Sequence, residues 1–83
     1  MIQTKKIFED EKKLNNNIGV MHQRAGNHDQ ASEYLAKAMY GEKTPAQEFG
    51  LNFNMAMTLM QTNRSEEALK HLLKCLELLK FKD

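Results

Sequence analysis

Apolar residues recur every three or four positions along most of the chain, and no segment alternates apolar and polar residues with the period of two typical of a strand. Helix-forming residues fill most of the remaining positions, whereas β-branched residues are few. The pattern predicts an all-α chain with helices near residues 4–25, 28–40, 45–62 and 65–81. The clearest apolar runs are Leu14, Ile18, Met21 and Ala25; Leu51, Met55 and Leu59; and Ala68, Leu72, Leu76 and Leu79.

The predicted helices are separated by residues that end or begin helices. Gly26, Gly41 and Asn63 can adopt the left-handed conformation that often follows the last helical residue. Thr44 is a good N-cap and Pro45 suits the first helical position, so the third helix should begin here.

The same reasoning predicts N-caps for two other helices. Asn27, with Gln30 as its capping-box partner, should begin the second helix. Either Asn63 or Ser65 should begin the fourth helix, and Asn63 has capping-box spacing to Glu66.

The four helices form two similar pairs, in which equivalent residues are 37 positions apart. Small residues match at three positions, larger apolar residues at two and a turn-forming residue at one. The chain therefore contains an internal repeat of a helix pair. The matched residues are Gly19 and Ala56, Ala31 and Ala68, Ala38 and Cys75, Ile18 and Met55, Leu35 and Leu72, and Gly26 and Asn63.

This repeat resembles the tetratricopeptide repeat, a helix-turn-helix unit of about 34 residues that carries small residues at fixed positions. When the units are counted from Lys12 and Phe49, the three small-residue matches fall at the family's eighth, twentieth and twenty-seventh positions. The resemblance implies a segment of an α-solenoid with one unit at residues 12–44 and a second at 45–83. Residues 1–11 would then be an N-terminal extension or the start of the first helix.

Three features depart from the family pattern. The longer period implies inserted residues, which we expect in the loop at 41–45. Asn15 and Asn52 stand where the family often has Trp. His22 stands at a position usually held by Tyr, with Leu59 as its counterpart in the second unit, so we expect His22 to be a packing residue.

The resemblance also implies a concave groove that is lined by the first helix of each unit and binds a partner peptide or helix. The amides among its residues can bond an extended peptide backbone, and methionine gives an adaptable apolar contact. The alternative is that Phe53, Met57 and Met60 pack against a neighbouring helix. The groove residues would be Asn16, Val20, Gln23, Arg24, Phe53, Asn54, Met57, Met60 and Gln61.

The fourth predicted helix has a wider apolar face than a solvent-exposed helix normally carries. Terminal repeats normally end in a polar face. We therefore expect these leucines to be covered by a partner, by a second copy in a homodimer, or by a further repeat from which this chain is an excised fragment. The face comprises Leu69, Leu72, Leu73, Leu76 and Leu79, with Leu78 and Phe81 beside them.

Composition and charge narrow the possible functions. The 83 residues, 41% of them hydrophobic and 28% charged, fit one small domain. A net charge of +1 gives no indication of nucleic-acid or membrane-surface binding, and no apolar run is long enough to span a bilayer. The first residues lack the apolar core of a signal peptide, so we expect a cytoplasmic protein.

The sequence offers no candidate catalytic or metal site. His22 and His28 lie on either side of a turn rather than on one helix face, and no nucleophile or phosphate-binding motif is found. Cys75 occupies a small-residue packing position and should be buried, and the charged run at residues 10–13 should be a solvated face. We therefore expect a non-catalytic protein–protein interaction module without a cofactor or metal.

Overall fold

The computed structural model describes residues 4–80, which form four α-helices joined by short connections. This part of the chain contains no strand, so the all-α prediction is confirmed. Residues 1–3 and 81–83 lie outside the described residues, and the assignment of Phe81 to the apolar face of the fourth helix stays a prediction. The helices are α1 (Thr4–Arg24), α2 (His28–Ala38), α3 (Pro45–Gln61) and α4 (Ser65–Lys80).

The helices pack in chain order as two stacked hairpins. α1 packs against α2, and α3 packs against α4. The two hairpins are joined mainly by α2 against α3, with a smaller contact between α1 and α3. α1 and α4 do not touch each other within the described residues, so they lie at opposite ends of the stack.

The two hairpins end their first helices in the same way. After α1, Gly26 has φ 85°, and the N–H groups of Gly26 and Asn27 donate to carbonyls of the last helical turn at 3.1 and 2.8 Å. Asn63, with φ 61°, and Arg64 make the equivalent bonds after α3 at 3.3 and 2.9 Å. Both are Schellman turns, and they confirm that Gly26 and Asn63 end helices.

Asn27 occupies the predicted N-cap position of α2 but lacks the predicted side-chain capping bonds, and the predicted N-cap of α4 is wrong. Asn27 precedes α2, but its side chain makes no cap bond, and its Nδ2 lies 3.3 Å from Nδ1 of His22. Because the Asn27 N–H completes the turn after α1, its backbone is held at ψ 75° rather than in the extended conformation that suits an N-cap. Arg64 directly precedes α4, so neither Asn63 nor Ser65 occupies its N-cap position.

The predicted start of α3 is confirmed. Pro45 is the first helical residue, and the Thr44 Oγ1 accepts from the backbone N–H of Gln47 at 3.1 Å. The Gln47 Oε1 accepts from the backbone N–H of Thr44 at 3.0 Å, which completes a capping box.

The core lies where the two hairpins meet. It combines a leucine of α2 with apolar residues of α3 and α4, and all six small residues matched by the repeat are buried. Gly19 shows why: a Cβ added there would lie 2.8 Å from Cγ of Leu35. The small residues thus allow the helices of each hairpin to approach closely. The core cluster is Leu35, Met55, Ala56, Leu59 and Ala68, with Met39 and Leu72 packed against it.

The loop between α2 and α3, where the sequence predicts the inserted residues, is held by side chains of α1. The Lys12 ammonium donates to the carbonyl of Glu42 and lies 5.4 Å from the ring centroid of Phe8. A Cβ on Gly41 would come within 2.8 Å of the same ring. Lys12 is only 5% exposed, so the predicted solvated face at residues 10–13 is wrong at this position. The loop brings a carbonyl over α1, which helical periodicity alone does not reveal.

Candidate interaction groove

The nine residues predicted to line the groove lie on α1 and α3, and none of them is fully buried. Four of them, Arg24, Phe53, Met60 and Gln61, are exposed. The other five are half-buried, since they lie closer to the contact between α1 and α3: Asn16, Val20, Gln23, Asn54 and Met57.

The amides of this group bond to one another across α1 and α3. The Asn54 Nδ2 donates to Oδ1 of Asn16 at 3.1 Å. The Gln23 Nε2 donates to the backbone carbonyl of Asn54 at 3.1 Å and to Oγ1 of Thr58 at 2.9 Å. Part of the hydrogen-bonding capacity that the sequence assigned to a partner is therefore used within the chain. The Nδ2 of Asn16 and the Oδ1 of Asn54 make no bond to the described residues.

The apolar residues of the predicted groove are not packed away. Phe53 and Met60 are 44% and 49% exposed, and Met57 is half-buried, so no helix of the described residues fully covers Phe53 or Met60. The ring of Phe53 stacks on Phe49, with centroids 6.5 Å apart and planes 4° from parallel. Met57 follows Phe53 by one helical turn, so both residues lie on the same face of α3.

A shallow depression of about 170 Å³ lies between α1 and the first half of α3. Gly50 is part of its lining, and a Cβ at this position would have no atom within 4 Å. The Gln47 Nε2 donates to Oε1 of Glu9 at 3.1 Å and ties the two helices near this end. Sequence reasoning did not include Gly50 among the groove residues, because a glycine offers no side chain that could bind a partner. The depression is lined by Lys12, Lys13, Asn16, Ala46, Gln47, Gly50 and Leu51.

The leucines of the predicted self-association face do not all have the same environment. Leu69, Leu73, Leu76 and Leu79 are 50–54% exposed. Leu72 is half-buried and packs against the core cluster, so it supports the fold of its own chain.

A polar pair links α3 to α4 where the family often has Trp. The buried Asn52 places Oδ1 2.7 Å from Nδ1 of His71 and donates through Nδ2 to the carbonyl of Glu48 at 2.8 Å. Burial lowers the pKa of His71, and the nearby carboxylate of Glu67 opposes this by raising it. The burial effect is the larger, so the neutral imidazole is favoured beside the amide.

The remaining candidate residues pack within the fold. His22 stacks on Tyr34 with ring centroids 5.6 Å apart, so the predicted packing role is confirmed. Cys75 is buried, its Sγ lies 3.4 Å from the carbonyl of Phe49, and burial raises the pKa of its thiol. A raised pKa keeps the unreactive thiol form dominant. Among residues 4–80, no group of three His, Cys, Asp or Glu is placed to hold a metal ion.

Two stacked helix-turn-helix units with small residues at their crossings define the class of α-helical repeat proteins. Models of the tetratricopeptide repeat match residues 16–41 and 49–78. The chain belongs to the tetratricopeptide repeat family, whose repeats are generally protein–protein interaction modules without catalytic function. No match to the chain was found among curated proteins or solved structures. None of the helices within residues 4–80 has the length and apolar character needed to cross a membrane.

Proposed function

We propose that the chain binds a segment of a partner protein in the groove between α1 and α3 and catalyses no reaction. The observation that carries this proposal is the row formed by Phe53, Met57 and Met60, which stays accessible on α3. Aromatic residues and Met are enriched in protein interfaces, and Met adapts its shape to different apolar side chains.

The α1 side of the groove indicates the chemistry of the partner. Lys13 and Arg24 are exposed on α1, and neither forms an ion pair within the described residues. The unused amide atoms of Asn16 and Asn54 can bond a peptide backbone. We therefore propose a partner segment that combines apolar side chains with at least one acidic residue.

The lone cysteine of the chain supports a cytoplasmic setting for this function.

The proposal is tested with a displayed library of random peptides selected on the full chain. Selected peptides should be apolar and acidic, and Phe53→Ala or Met57→Glu should weaken their binding by at least about tenfold. Tyr40→Ala is the matched control, because it removes an exposed aromatic side chain that is not on the groove helices. Circular dichroism should show unchanged helix content in all three variants.

Two results would contradict the proposal. One is a library that gives no binder, and the other is a set of peptides whose affinity is the same for the wild type, Phe53→Ala and Met57→Glu. The variant Leu76→Glu locates binding at α4, because peptides that bind there would lose affinity in this variant alone.

A further inference from the structure

A second exposed apolar face lies on α1, at the end of the stack opposite α4. Ile7, Leu14, Ile18 and Met21 recur along one side of the helix, and each is between 38% and 66% exposed. None of these residues belongs to the core cluster. The stack therefore has an apolar face at both ends, and only the α4 face was predicted from the sequence.

The residues of α3 that are equivalent to the exposed apolar residues of α1 are buried. The residues 37 positions after Leu14 and Ile18 are Leu51 and Met55 of α3, which packs against α2. Leu51 is 4% exposed where Leu14 is 59%, and Met55 is 8% exposed where Ile18 is 38%. The exposed side of α1 is thus the side that α3 buries at the junction inside the chain.

The apolar face of α4 is likewise more exposed than the equivalent face of α2. Leu35 of α2 is fully buried by the junction with α3, whereas its counterpart Leu72 is only half-buried. Met39 is half-buried, whereas its counterpart Leu76 is 53% exposed. α4 therefore presents the apolar positions that α2 uses to receive α3, with nothing from the described residues covering them.

We infer that α1 of a second copy of the chain packs on α4, and that this contact repeats the α2–α3 junction between molecules. The contact is head-to-tail, since one copy contributes its α4 face and the other its α1 face. The contact leaves the exposed side of Phe53 and Met57 free but covers Met60 at one end of the groove row, and the inference does not depend on the proposed groove function.

Side-chain chemistry at the two junctions supports a second copy as the occupant. Inside the chain, the polar Gln23 bonds to the polar Thr58, which is fully buried. Their counterparts are Met60 on α3 and Met21 on α1, both apolar and 49% and 66% exposed. The polar pair inside the chain is thus matched by an apolar pair at the proposed contact between copies. Met60 of one copy and Met21 of the other would meet only in that contact.

The two faces also favour head-to-tail contact over the symmetric dimer predicted from α4 alone. A two-fold dimer through α4 would leave Leu14 and Met21 exposed on each copy. A head-to-tail contact covers the α4 face of one copy and the α1 face of the other. The two remaining faces, one α1 face and one α4 face, stay free to bind further copies. Such heterologous contacts generate open chains when the rotation between copies does not close a ring.

Sedimentation velocity over a range of concentrations tests this inference on the full chain. The wild type should form species that grow beyond a dimer as concentration rises. Met21→Glu disables the α1 face and Leu76→Glu disables the α4 face, and each variant alone should be monomeric, with self-association weakened by at least about 30-fold. Both side chains are more than half exposed, so helix content should not change.

A mixture of the two variants distinguishes the modes of association. Met21→Glu keeps its α4 face and Leu76→Glu keeps its α1 face, so an equimolar mixture should form a one-to-one dimer and nothing larger. A Met21→Glu variant that dimerises by itself would show a symmetric α4 contact and overturn the inference. A wild type that stays monomeric at about 1 mM would also overturn it, because the contact would then be weaker than about 4 kcal/mol.

Leu73→Glu is the matched control for Leu76→Glu. Leu73 has nearly the same exposure on the same helix, at 54%, but its counterpart Ala36 remains exposed at the inner junction. Leu73→Glu should therefore retain self-association within about tenfold of the wild type. Equal losses in both variants would indicate general hydrophobic association of α4 and would overturn the specific register.

Discussion

Replacement of Gly19 by alanine tests how closely α1 and α2 approach each other. Gly19 lies within α1, and an added Cβ would be 2.8 Å from Cγ and 2.9 Å from Cδ2 of Leu35. It would also lie 3.3 Å from the backbone carbonyl oxygen of Ala31. Leu35 is fully buried and has little space to move, so the helices must shift or the leucine must leave its preferred rotamer.

Two opposing effects set the size of the change. Replacing glycine by alanine inside a helix stabilises by about 1 kcal/mol, because the unfolded chain loses conformational freedom. Overpacking a close-packed site costs about 1–3 kcal/mol. Gly50→Ala in α3 isolates the first effect, since its Cβ would meet no atom within 4 Å. We expect Gly50→Ala to stabilise the chain and Gly19→Ala to be less stable than Gly50→Ala by about 1–3 kcal/mol.

Urea unfolding followed by circular dichroism measures both variants, at a concentration low enough to keep the chain monomeric. In thermal unfolding, each kcal/mol should appear as a difference of about 4–8 °C for a domain of this size. Ala56 occupies the equivalent place in the second unit, and Leu72, the counterpart of Leu35, is only half-buried. We therefore attribute the expected loss of stability in Gly19→Ala to the contact with the fully buried Leu35, and not to the presence of an alanine at this position. A Gly19→Ala variant as stable as Gly50→Ala would refute the reasoning.

Two further predictions concern the capping box and the half-buried His71. Thr44→Ala removes an N-cap side chain that takes part in a capping box and should lower the free energy of unfolding by about 1 kcal/mol. Asn27→Ala removes no cap bond, so the same urea titration should show a smaller loss of stability. Similar losses in the two variants would contradict this difference. Burial in the folded chain lowers the pKa of His71, so as pH falls the unfolded chain takes up a proton on this residue before the folded chain does. The neutral His71 therefore contributes its full stabilisation of the fold above about pH 6.5, and this stabilisation is lost as pH falls below that value. His71→Gln should reduce the fall in melting temperature between about pH 7.5 and about pH 5.5, and an unchanged fall would exclude His71 as a cause.

Most of the fold could be predicted from the sequence because its signals are local. Helical periodicity, the Thr44-Pro45 start and the turn residues Gly26 and Asn63 each act within one or two helical turns. Asn27 lies at the predicted N-cap position, but its side chain does not cap α2, since the same residue also completes the turn after α1 and its ψ of 75° is not extended. Local rules consider each helix separately and do not show such a conflict.

The candidate sites were harder to predict because they depend on contacts between helices. The amides of Asn16, Gln23 and Asn54 lie on the predicted side, but their mutual hydrogen bonds depend on the crossing of α1 and α3. Lys12 was predicted to be solvated because a charged run normally is, and only the path of the loop explains its burial. The exposure of Leu14 could be inferred from the repeat, since α2 covers its counterpart Leu51 and no helix among residues 4–80 covers Leu14 in the same way.

The turns at residues 25–27 and 62–64 also bear on the speed of folding. Each connects two helices by three residues, so most contacts within a hairpin join parts of the chain that are close in sequence. Chains with such local contacts close their loops at little entropic cost and typically fold in microseconds to milliseconds. Each hairpin can therefore form early, and the α2–α3 junction with the amide bonds of Gln23 and Asn54 then couples the two hairpins. Hydrogen exchange should accordingly be slowest in α2 and α3 and faster toward the ends of α1 and α4.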